Sequence, residues 1–264
     1  MTDEEVGQYW ERNAAAWTLL ARSGSDIYRD HINTPAFFKT LPAIKGLKGI
    51  DIGCGEGYNT RLLAEKGALM TGIDISPAFI EKAAEMDAGI NYIQGSALKM
   101  PFEKASFDFA TGFMSFMDMP DIRQLFREIS RVLKPGGMLK FSVSHPCFNP
   151  YRRKNIKDAA GNTCAVEIGD YFSKEMIIEE WLFDTASLPA SAALQPFAIP
   201  RFVRTLSDWV AALLEAGFII TSLEEPCPSE EAIAACPRLK NAANVAFFLH
   251  ISCTKAAARS LVSP

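Results

Sequence analysis

The stretch that decides the fold runs from residue 49 to residue 57 and reads Gly49-Ile50-Asp51-Ile52-Gly53-Cys54-Gly55-Glu56-Gly57. It contains the end of an apolar strand, residues 48–52, and precedes a segment, residues 59–66, with the pattern of a helix. Glycine lets the backbone turn tightly and approach a ligand closely. The next helix begins with unpaired N–H groups and a positive dipole end. This order predicts a loop that holds a carboxylate or a phosphate, a device that many nucleotide-binding proteins share.

A second polar site follows the next predicted strand, where the chain reads Gly72-Ile73-Asp74-Ile75-Ser76. Asp74 comes 21 positions after Gly53. A carboxylate at that place can accept hydrogen bonds from both hydroxyl groups of a ribose. The alternative is that Asp74 caps the helix that follows, a role that Ser76 can also fill.

Strand and helix patterns alternate through the middle of the chain. Strands are predicted at 48–52, 68–73, 91–94, 107–113 and 138–144, and helices at 59–66, 76–86 and 121–133. Such alternation favours a parallel sheet with helices on both faces. Two further strands, at 218–223 and 246–254, have no helix-length apolar pattern between them, and we expect them to pair antiparallel.

These patterns divide the chain into five parts. They are an N-terminal helical lid at 1–45, a ligand-binding core at 46–145, an insertion that caps the substrate site at 146–200, the C-terminal part of the core at 201–255, and a tail at 256–264. The lid contains an amphipathic helix at about 3–21, and the insertion is rich in proline and aromatic residues.

Composition narrows the possible partners and the location. The 264 residues carry a net charge of −4 and show no basic face, so we expect no nucleic-acid partner. No apolar run approaches the roughly 20 residues of a membrane span, and the acidic N-terminus does not resemble a signal peptide. The 6 cysteines form no CxxC pair and no metal-binding pattern. These features predict a cytoplasmic protein with reduced thiols and no metal, either a monomer or a homodimer.

Five motifs in order resemble those of class I S-adenosylmethionine (SAM)-dependent methyltransferases, notably the ubiquinone/menaquinone-type small-molecule methyltransferases. The motifs, which span about residues 47–145, are the DxGxGxG loop at 51–57, Asp74, the QGSA and MPF segments at 94–97 and 100–102, Ser106-Phe107-Asp108, and RVLKPGG at 131–137. The resemblance implies a Rossmann-like α/β fold. Its doubly wound, seven-stranded, mostly parallel sheet would end in an antiparallel hairpin.

The resemblance also implies which residues touch the cofactor. The glycine loop would hold the methionine part of SAM, Asp74 the ribose, and residues 75, 96 and 97 the adenine. Many family members have an aspartate where Ser96 stands, which puts that single contact in doubt. The predicted cofactor contacts in the core are Asp51, Gly53, Cys54, Gly55, Gly57, Asn59, Asp74, Ile75, Ser96, Ala97, Phe113, Met114 and Ser115.

The lid helix and the insertion supply the remaining candidates. In similar enzymes an N-terminal helix folds over the cofactor, and its aromatic residues, here Tyr9 and Trp17, can face the sulfonium or simply pack on the sheet. His145 follows the fifth predicted strand directly and is the candidate for a general base. The predicted substrate contacts are His31, His145, Phe148 and Arg201, and a surface position is the alternative for His31 and Arg201.

The resemblance implies transfer of a methyl group from SAM to a small-molecule acceptor at O, N or C, with S-adenosylhomocysteine (SAH) as the product. Two alternatives remain at this stage. One is a SAM-binding regulatory protein without catalysis. The other is an NAD-dependent oxidoreductase, although that class favours GxGxxG, and glycines here alternate at positions 53, 55 and 57.

Overall fold

The computed structural model describes residues 1–150, 152–183 and 194–257. Seven strands form one sheet in the order β10-β11-β5-β4-β1-β2-β3. These strands are β1 (Lys48–Ile52), β2 (Leu69–Asp74), β3 (Asn91–Gln94), β4 (Phe107–Phe113), β5 (Leu133–Ser144), β10 (Phe218–Glu224) and β11 (Phe248–Lys255).

The sheet is parallel from β3 to β5 and antiparallel at the other edge. β1 pairs in parallel with both β2 and β4, and β4 pairs in parallel with β5. β11 lies antiparallel between β5 and β10. The predicted fold class, a seven-stranded mostly parallel sheet with an antiparallel C-terminal pair, is therefore confirmed.

Helices cover both faces of this sheet. They are α1 (Asp3–Arg22), α2 (Thr34–Lys39), α3 (Tyr58–Glu65), α4 (Pro77–Met86), α5 (Ile122–Val132), α6 (Leu206–Glu215) and α7 (Glu230–Ala235). A π-helical turn at Arg29–Asn33 precedes α2, and 3₁₀ turns lie at Phe116–Asp118 and Pro237–Ala243. The short helix α7 and the 3₁₀ turn after it lie between β10 and β11 in the chain. The apolar pattern did not reveal this helix.

The largest core cluster lies between the sheet and helices α5 and α6. Ile122, Leu125, Phe126, Ile129 and Val132 are buried, as the helical spacing of this segment predicts. Phe126 packs against Phe141 of β5 and against Trp209 of α6, with ring centroids 5.5 and 6.2 Å apart.

The fifth strand begins earlier than its sequence predicts. The proline and two glycines at 135–137 predict a turn before the strand, whereas β5 already begins at Leu133. Its register against β4 passes from Phe107↔Leu133 to Phe109↔Met138, so five steps along β5 match two along β4. The segment bulges because Gly136 adopts a φ of +76°, a left-handed conformation that glycine tolerates.

The insertion after β5 forms two antiparallel hairpins. One consists of β6 (Arg153–Lys157) and β7 (Thr163–Ile168), and the other of β8 (Met176–Trp181) and β9 (Phe197–Phe202). β9 runs past residue 200, where the sequence places the end of the insertion. The predicted tail lies mostly outside the described residues, since the structure describes nothing beyond residue 257.

The core can be tested with two matched leucines on neighbouring helices. Leu125 is fully buried, whereas Leu214 is 57% exposed. We expect Leu125→Ala to lower the free energy of unfolding by about 2–5 kcal/mol, because it removes buried methyl groups and leaves a cavity. Leu214→Ala should change it by less than about 0.5 kcal/mol. Urea unfolding followed by circular dichroism measures both, and equal effects would contradict the packing described.

Candidate functional site

A cavity of about 530 Å³ lies at the carboxyl ends of β1, β2 and β4. Ligands of open α/β sheets bind at this edge, and the volume falls within the roughly 300–1,000 Å³ of small-molecule sites. The segments that follow these strands, helix α1 and the β8–β9 hairpin form its wall. One cavity therefore touches the glycine loop, the lid and the cap.

The glycine loop is held in shape by the end of β2. The N–H groups of Gly53 and Cys54 both donate to the carbonyl of Ile73, at 2.8 and 3.1 Å. Gly55 lies at the cavity wall with a φ of +54°, and no heavy atom stands within 4 Å of where its Cβ would be. A side chain there would project into open space, so the loop forms a cradle that a ligand can fill.

Two predicted cofactor contacts lie behind this loop and not at the cavity wall, which corrects those predictions. Asp51 is buried, and its carboxylate accepts hydrogen bonds from the hydroxyl groups of Thr60 and Thr111 at 2.6 and 2.9 Å. Gly57 precedes α3 with a φ of +82°, and a Cβ there would stand 2.5 Å from the Tyr92 hydroxyl oxygen. Both residues therefore support the loop from behind, Asp51 through the two threonine hydroxyl groups and Gly57 through its close packing against Tyr92.

Asp74 lies at the cavity wall, at the end of β2. One of its carboxylate oxygens accepts from the Gly55 N–H at 2.8 Å and the other from the Ser76 N–H at 3.0 Å. Burial raises the pKa of Asp74 to about 6, against the effect of these hydrogen bonds. Ser76 is the N-cap of α4, so the alternative role for Asp74 is taken by its neighbour. Each carboxylate oxygen has a second lone pair that can accept from a ligand.

Of the three residues predicted at the adenine, two line the cavity and one does not. Ile75 and Ala97 line the cavity, with Phe79 beside them. Ser96 does not line it, because its hydroxyl turns to the lid and donates to the carboxylate of Asp3. Asp3, which the sequence analysis did not select, lines the cavity there. No sequence motif connects these two residues, which lie 93 positions apart.

Helix α1 forms the lid and presents one face to the cavity. Val6, Trp10 and Trp17 line the cavity, at positions that share a helix face. Tyr9 points elsewhere and stacks under the guanidinium of Arg12, 4.5 Å from the ring centroid, which corrects its predicted cofactor contact. A one-residue offset turns a side chain by about 100° on a helix, so adjacent aromatics cannot both face the ligand.

The lid is fastened to the core at its middle and to the cap at its far end. The Glu11 carboxylate accepts from the Ser76 hydroxyl at 2.5 Å and from the Ala78 N–H at 3.1 Å, at the start of α4. Trp17 packs against Trp181 and Phe183 of the cap, with centroids 5.5 and 4.9 Å apart. The lid is therefore packed against the core and the cap and forms part of the cavity wall.

The end of β4 and the segment after it form the part of the cavity wall next to the glycine loop. Phe113, Met114 and Ser115, which the sequence predicts as cofactor contacts, line the cavity. Met114 has a φ of +54°, which is unusual for a residue with a side chain and is typical of ligand-binding segments. A Cβ on Gly53 would stand 2.4 Å from the Cβ of Ser115, so this segment lies directly against the loop.

Cys54 and Asn59 also line the cavity. Burial keeps the Cys54 thiol neutral by raising its pKa well above its ordinary value. Arg29, which the sequence analysis did not select, stacks on the ring of Tyr58 at the start of α3, 4.1 Å from its centroid. Both residues line the cavity and bring a cation to the helix end next to the glycine loop.

His145 lies away from the cavity, which corrects its predicted roles as general base and substrate contact. It is 3% exposed, its Nε2 lies 2.8 Å from a carboxylate oxygen of Glu225, and its Nδ1 accepts from the Cys147 N–H. Burial lowers the pKa of this histidine. The chain turns sharply after β5, so the imidazole faces β10 and its loop instead of the ligand.

Of the other predicted substrate contacts, one lies at the cavity. Arg201 lines it and donates to the Glu179 carboxylate at 2.9 Å and to the Asn149 carbonyl at 2.7 Å. Phe148 instead packs on the His145 ring at 4.7 Å, and His31 is exposed on the π-helical turn. The predictions for His31 and Phe148 are corrected, because neither side chain reaches the wall.

Comparison with known proteins places this geometry in a family. A family model described as a methyltransferase domain matches residues 50–141. The crystal structure of an S-adenosylmethionine-dependent methyltransferase from Mesorhizobium loti has 31% identity and a TM-score of 0.68, over 83% of this chain and 96% of that one. The chain belongs to the S-adenosylmethionine-dependent methyltransferases. The family predicted from the five motifs is confirmed.

This methyltransferase is similar to curated proteins that include two demethylmenaquinone methyltransferases. The demethylmenaquinone methyltransferases of Lactococcus lactis and Listeria monocytogenes are 32% and 31% identical to it, over 50% and 59% of this chain. These matches span 59% and 69% of the relatives' own lengths. The chain therefore spans less than two thirds of the length of the Lactococcus relative.

The buried support of the glycine loop gives a pH-dependent prediction. Burial raises the pKa of Asp51 to about 6, so between about pH 4 and pH 6 the native state holds more protons than the unfolded chain. This group's contribution to stability therefore falls as the pH rises through that window. Thr111→Val removes a donor to the ionised carboxylate, and we expect a loss of about 1–3 kcal/mol in unfolding free energy at pH 8.

At pH 5, where Asp51 is protonated, the loss in Thr111→Val should be smaller. Thr111→Ser keeps the hydroxyl and serves as the control, with a cost that does not change with pH. Urea unfolding at both pH values measures these differences. A valine cost that is the same at pH 5 and pH 8 would show that the hydroxyl does not support the carboxylate.

Proposed function

We propose that this protein transfers the methyl group of SAM to a small, partly apolar acceptor of the quinone type and releases SAH. The observation that carries the proposal is a single cavity in which the glycine cradle and Asp74 meet an aromatic-lined cap. The family membership and the name of the curated relatives support it.

The donor half of the cavity fits SAM residue by residue. Gly55 leaves room for the methionine part, and Arg29, above the start of α3, offers a positive charge to its carboxylate. Asp74 offers acceptor lone pairs to the ribose hydroxyls. Ile75 and Phe79 would pack on the adenine, with the Asp3 carboxylate of the lid at its edge. When bound, SAM supplies a methyl group already activated by the sulfonium.

The acceptor half is lined by Trp17, Trp181 and Phe183, with the paired charges of Glu179 and Arg201 beside them. Such a wall favours a flat, apolar ring that bears a few polar groups. The chain's main contribution to the rate would be alignment of donor and acceptor and exclusion of water. Well-oriented reactions can gain about 7–11 kcal/mol in this way.

The location and assembly of the protein stay predictions. No helix in the described part of the chain is long and apolar enough to cross a bilayer. All six cysteines lie among the described residues as free thiols, which supports a reducing compartment such as the cytoplasm. Either a monomer or a homodimer is compatible with a site built within one chain.

The proposal is tested first by calorimetry with SAM, SAH and NAD. We expect binding of SAM and SAH and none of NAD. The second test follows formation of SAH from SAM with a dithionite-reduced 1,4-naphthoquinone as acceptor. A folded protein that binds neither SAM nor SAH would overturn the proposal, and binding of SAM without turnover on any acceptor would favour a regulatory role.

A charge-removing variant tests the donor half. Asp74→Asn removes the charge that strengthens hydrogen bonds to the ribose, and we expect SAH to bind roughly tenfold or more weakly, given about 1.5–3 kcal/mol for a hydrogen bond to a charged group. The matched control is Asp170→Asn, at an exposed position outside the cavity wall whose φ of +50° asparagine tolerates. Equal SAH affinity in the two variants would remove Asp74 from the site.

A further inference from the structure

A second acidic group lies in the cavity wall, in the turn that follows β4. Asp118 ends the 3₁₀ turn Phe116–Asp118 and is 5% exposed, and it lines the cavity. Its own N–H donates to the Ser115 carbonyl at 3.2 Å, which fixes the backbone that carries it. Within residues 1–150, 152–183 and 194–257, its carboxyl group accepts no hydrogen bond.

The neighbouring cations do not satisfy this carboxyl group. Arg204 donates to the carbonyls of Met117, Met119 and Pro120, so its guanidinium holds the turn from outside. Arg201 donates to Glu179 and to the Asn149 carbonyl. The charges of Arg201, Arg204 and Glu179 therefore act on Asp118 through space, and none of these three side chains forms a hydrogen bond with it.

A buried carboxyl group without a hydrogen bond is costly, and such a group in a folded protein calls for an explanation. Burial raises the pKa of Asp118 to about 8, against the pull of Arg201 and Arg204. The pKa of this carboxyl group is therefore close to the pH at which a general base works best. Asp118 lines the same cavity as Trp181 and Phe183, and two of the charges that act on it, those of Glu179 and Arg201, belong to the proposed acceptor half.

The position of Asp118 relative to the donor half follows from the glycine loop. A Cβ on Gly53 would stand 2.4 Å from Ser115 and 3.6 Å from the terminal methyl carbon of Met119. Asp118 lies between Ser115 and Met119 in the chain, and both of these residues contact the glycine loop. This loop is the proposed binding site for the methionine part of the donor. A group bound to Asp118 would therefore lie on the side of the cavity where this turn meets the glycine loop.

We propose that Asp118 binds the hydroxyl group of a phenolic acceptor, the reduced form of a quinone, and takes its proton during methyl transfer. This inference rests on the proposed function. It assigns to Asp118 the role of a catalytic residue, which the sequence analysis placed on His145.

The proposed methyl transfer starts at the hydroxyl group of the acceptor. The O–H bond of the acceptor breaks and its proton passes to the Asp118 carboxylate. The electron pair left on the acceptor forms the new bond to the methyl carbon, either from oxygen or, through the ring, from the carbon beside it. The methyl–sulfur bond breaks and its electron pair stays on sulfur. For attack from carbon, the ring proton then leaves to water and the oxygen regains its proton from Asp118.

The test uses Asp118→Asn in the full chain, with Asp121→Asn as the matched control. Asp121 lies three residues further on, is exposed, and is the N-cap of α5, a position that asparagine fills equally well. The probes are SAH, 1,4-dihydroxynaphthalene kept reduced by dithionite, and 1,4-dimethoxynaphthalene, which has the same ring but no O–H donor.

We expect SAH to bind Asp118→Asn within twofold of the parent protein. In the SAH-loaded parent, the dihydroxy probe should bind at least tenfold more tightly than the dimethoxy probe, and Asp118→Asn should lose this preference. In turnover with SAM, kcat should fall roughly 10²- to 10⁴-fold in Asp118→Asn and stay unchanged in Asp121→Asn. The parent kcat should rise with pH through about 8, where Asp118 ionises, and the variant should lack this rise.

Equal affinity of the SAH-loaded parent for the two naphthalene probes would overturn the inference. So would an Asp118→Asn variant that keeps both the preference and the pH dependence. Either result would leave the proposed function standing if SAH still binds. Failure of the parent protein to bind SAM or SAH would instead remove the proposed function itself.

Discussion

The hydrogen bonds between the loop after β1 and the end of β2 are the constraint on which the site depends. The Ile73 carbonyl accepts from two successive N–H groups of the loop, and Asp74 accepts from a third, that of Gly55. Because β1 and β2 are parallel neighbours, their carboxyl ends meet at the same edge and these bonds can form. The same contact shapes the cradle and fixes the Asp74 carboxylate at the cavity wall, so the two features cannot vary independently.

The wall on the other side of the cradle depends on this loop as well. Ser115 occupies the space that a side chain at Gly53 would need, and its hydroxyl donates to the Ile52 carbonyl at 2.7 Å. The turn with Asp118 continues from that contact, and Arg204 holds it by three backbone carbonyls. Donor loop, acceptor wall and cap are therefore built as one connected structure, which suits a reaction that requires alignment above all.

The lid adds charge as well as cover. Its first turn brings the Asp3 carboxylate to Ser96, and its middle turn brings Glu11 to the start of α4. A chain with serine at position 96 thus still has a carboxylate at that end of the cavity, supplied from another element. Binding of the donor would accordingly depend on the lid being folded over the sheet.

The sequence by itself determined the fold class, the antiparallel pairing of the last two strands, the glycine loop and the position of Asp74 at the end of the second strand. These features are local: an apolar strand, a glycine turn and a capped helix each have a pattern within a few residues. The position of the segment at 113–115 could also be predicted, because residues that directly follow a parallel strand lie at the carboxyl edge of the sheet. The apolar pattern did not reveal helix α7 between β10 and β11, because this helix is only six residues long.

Only the tertiary structure decided which side chains face the cavity. Tyr9 and Trp10 are neighbours in the chain, yet one stacks on Arg12 and the other lines the cavity. His145 stands at the expected strand end, but the turn after β5 directs it to Glu225. Asp118 belongs to no motif, and its burial without a partner results from elements far apart in the chain. The direction of a side chain at a strand end depends on how distant segments pack around it, and the pattern of a few neighbouring residues does not contain that information.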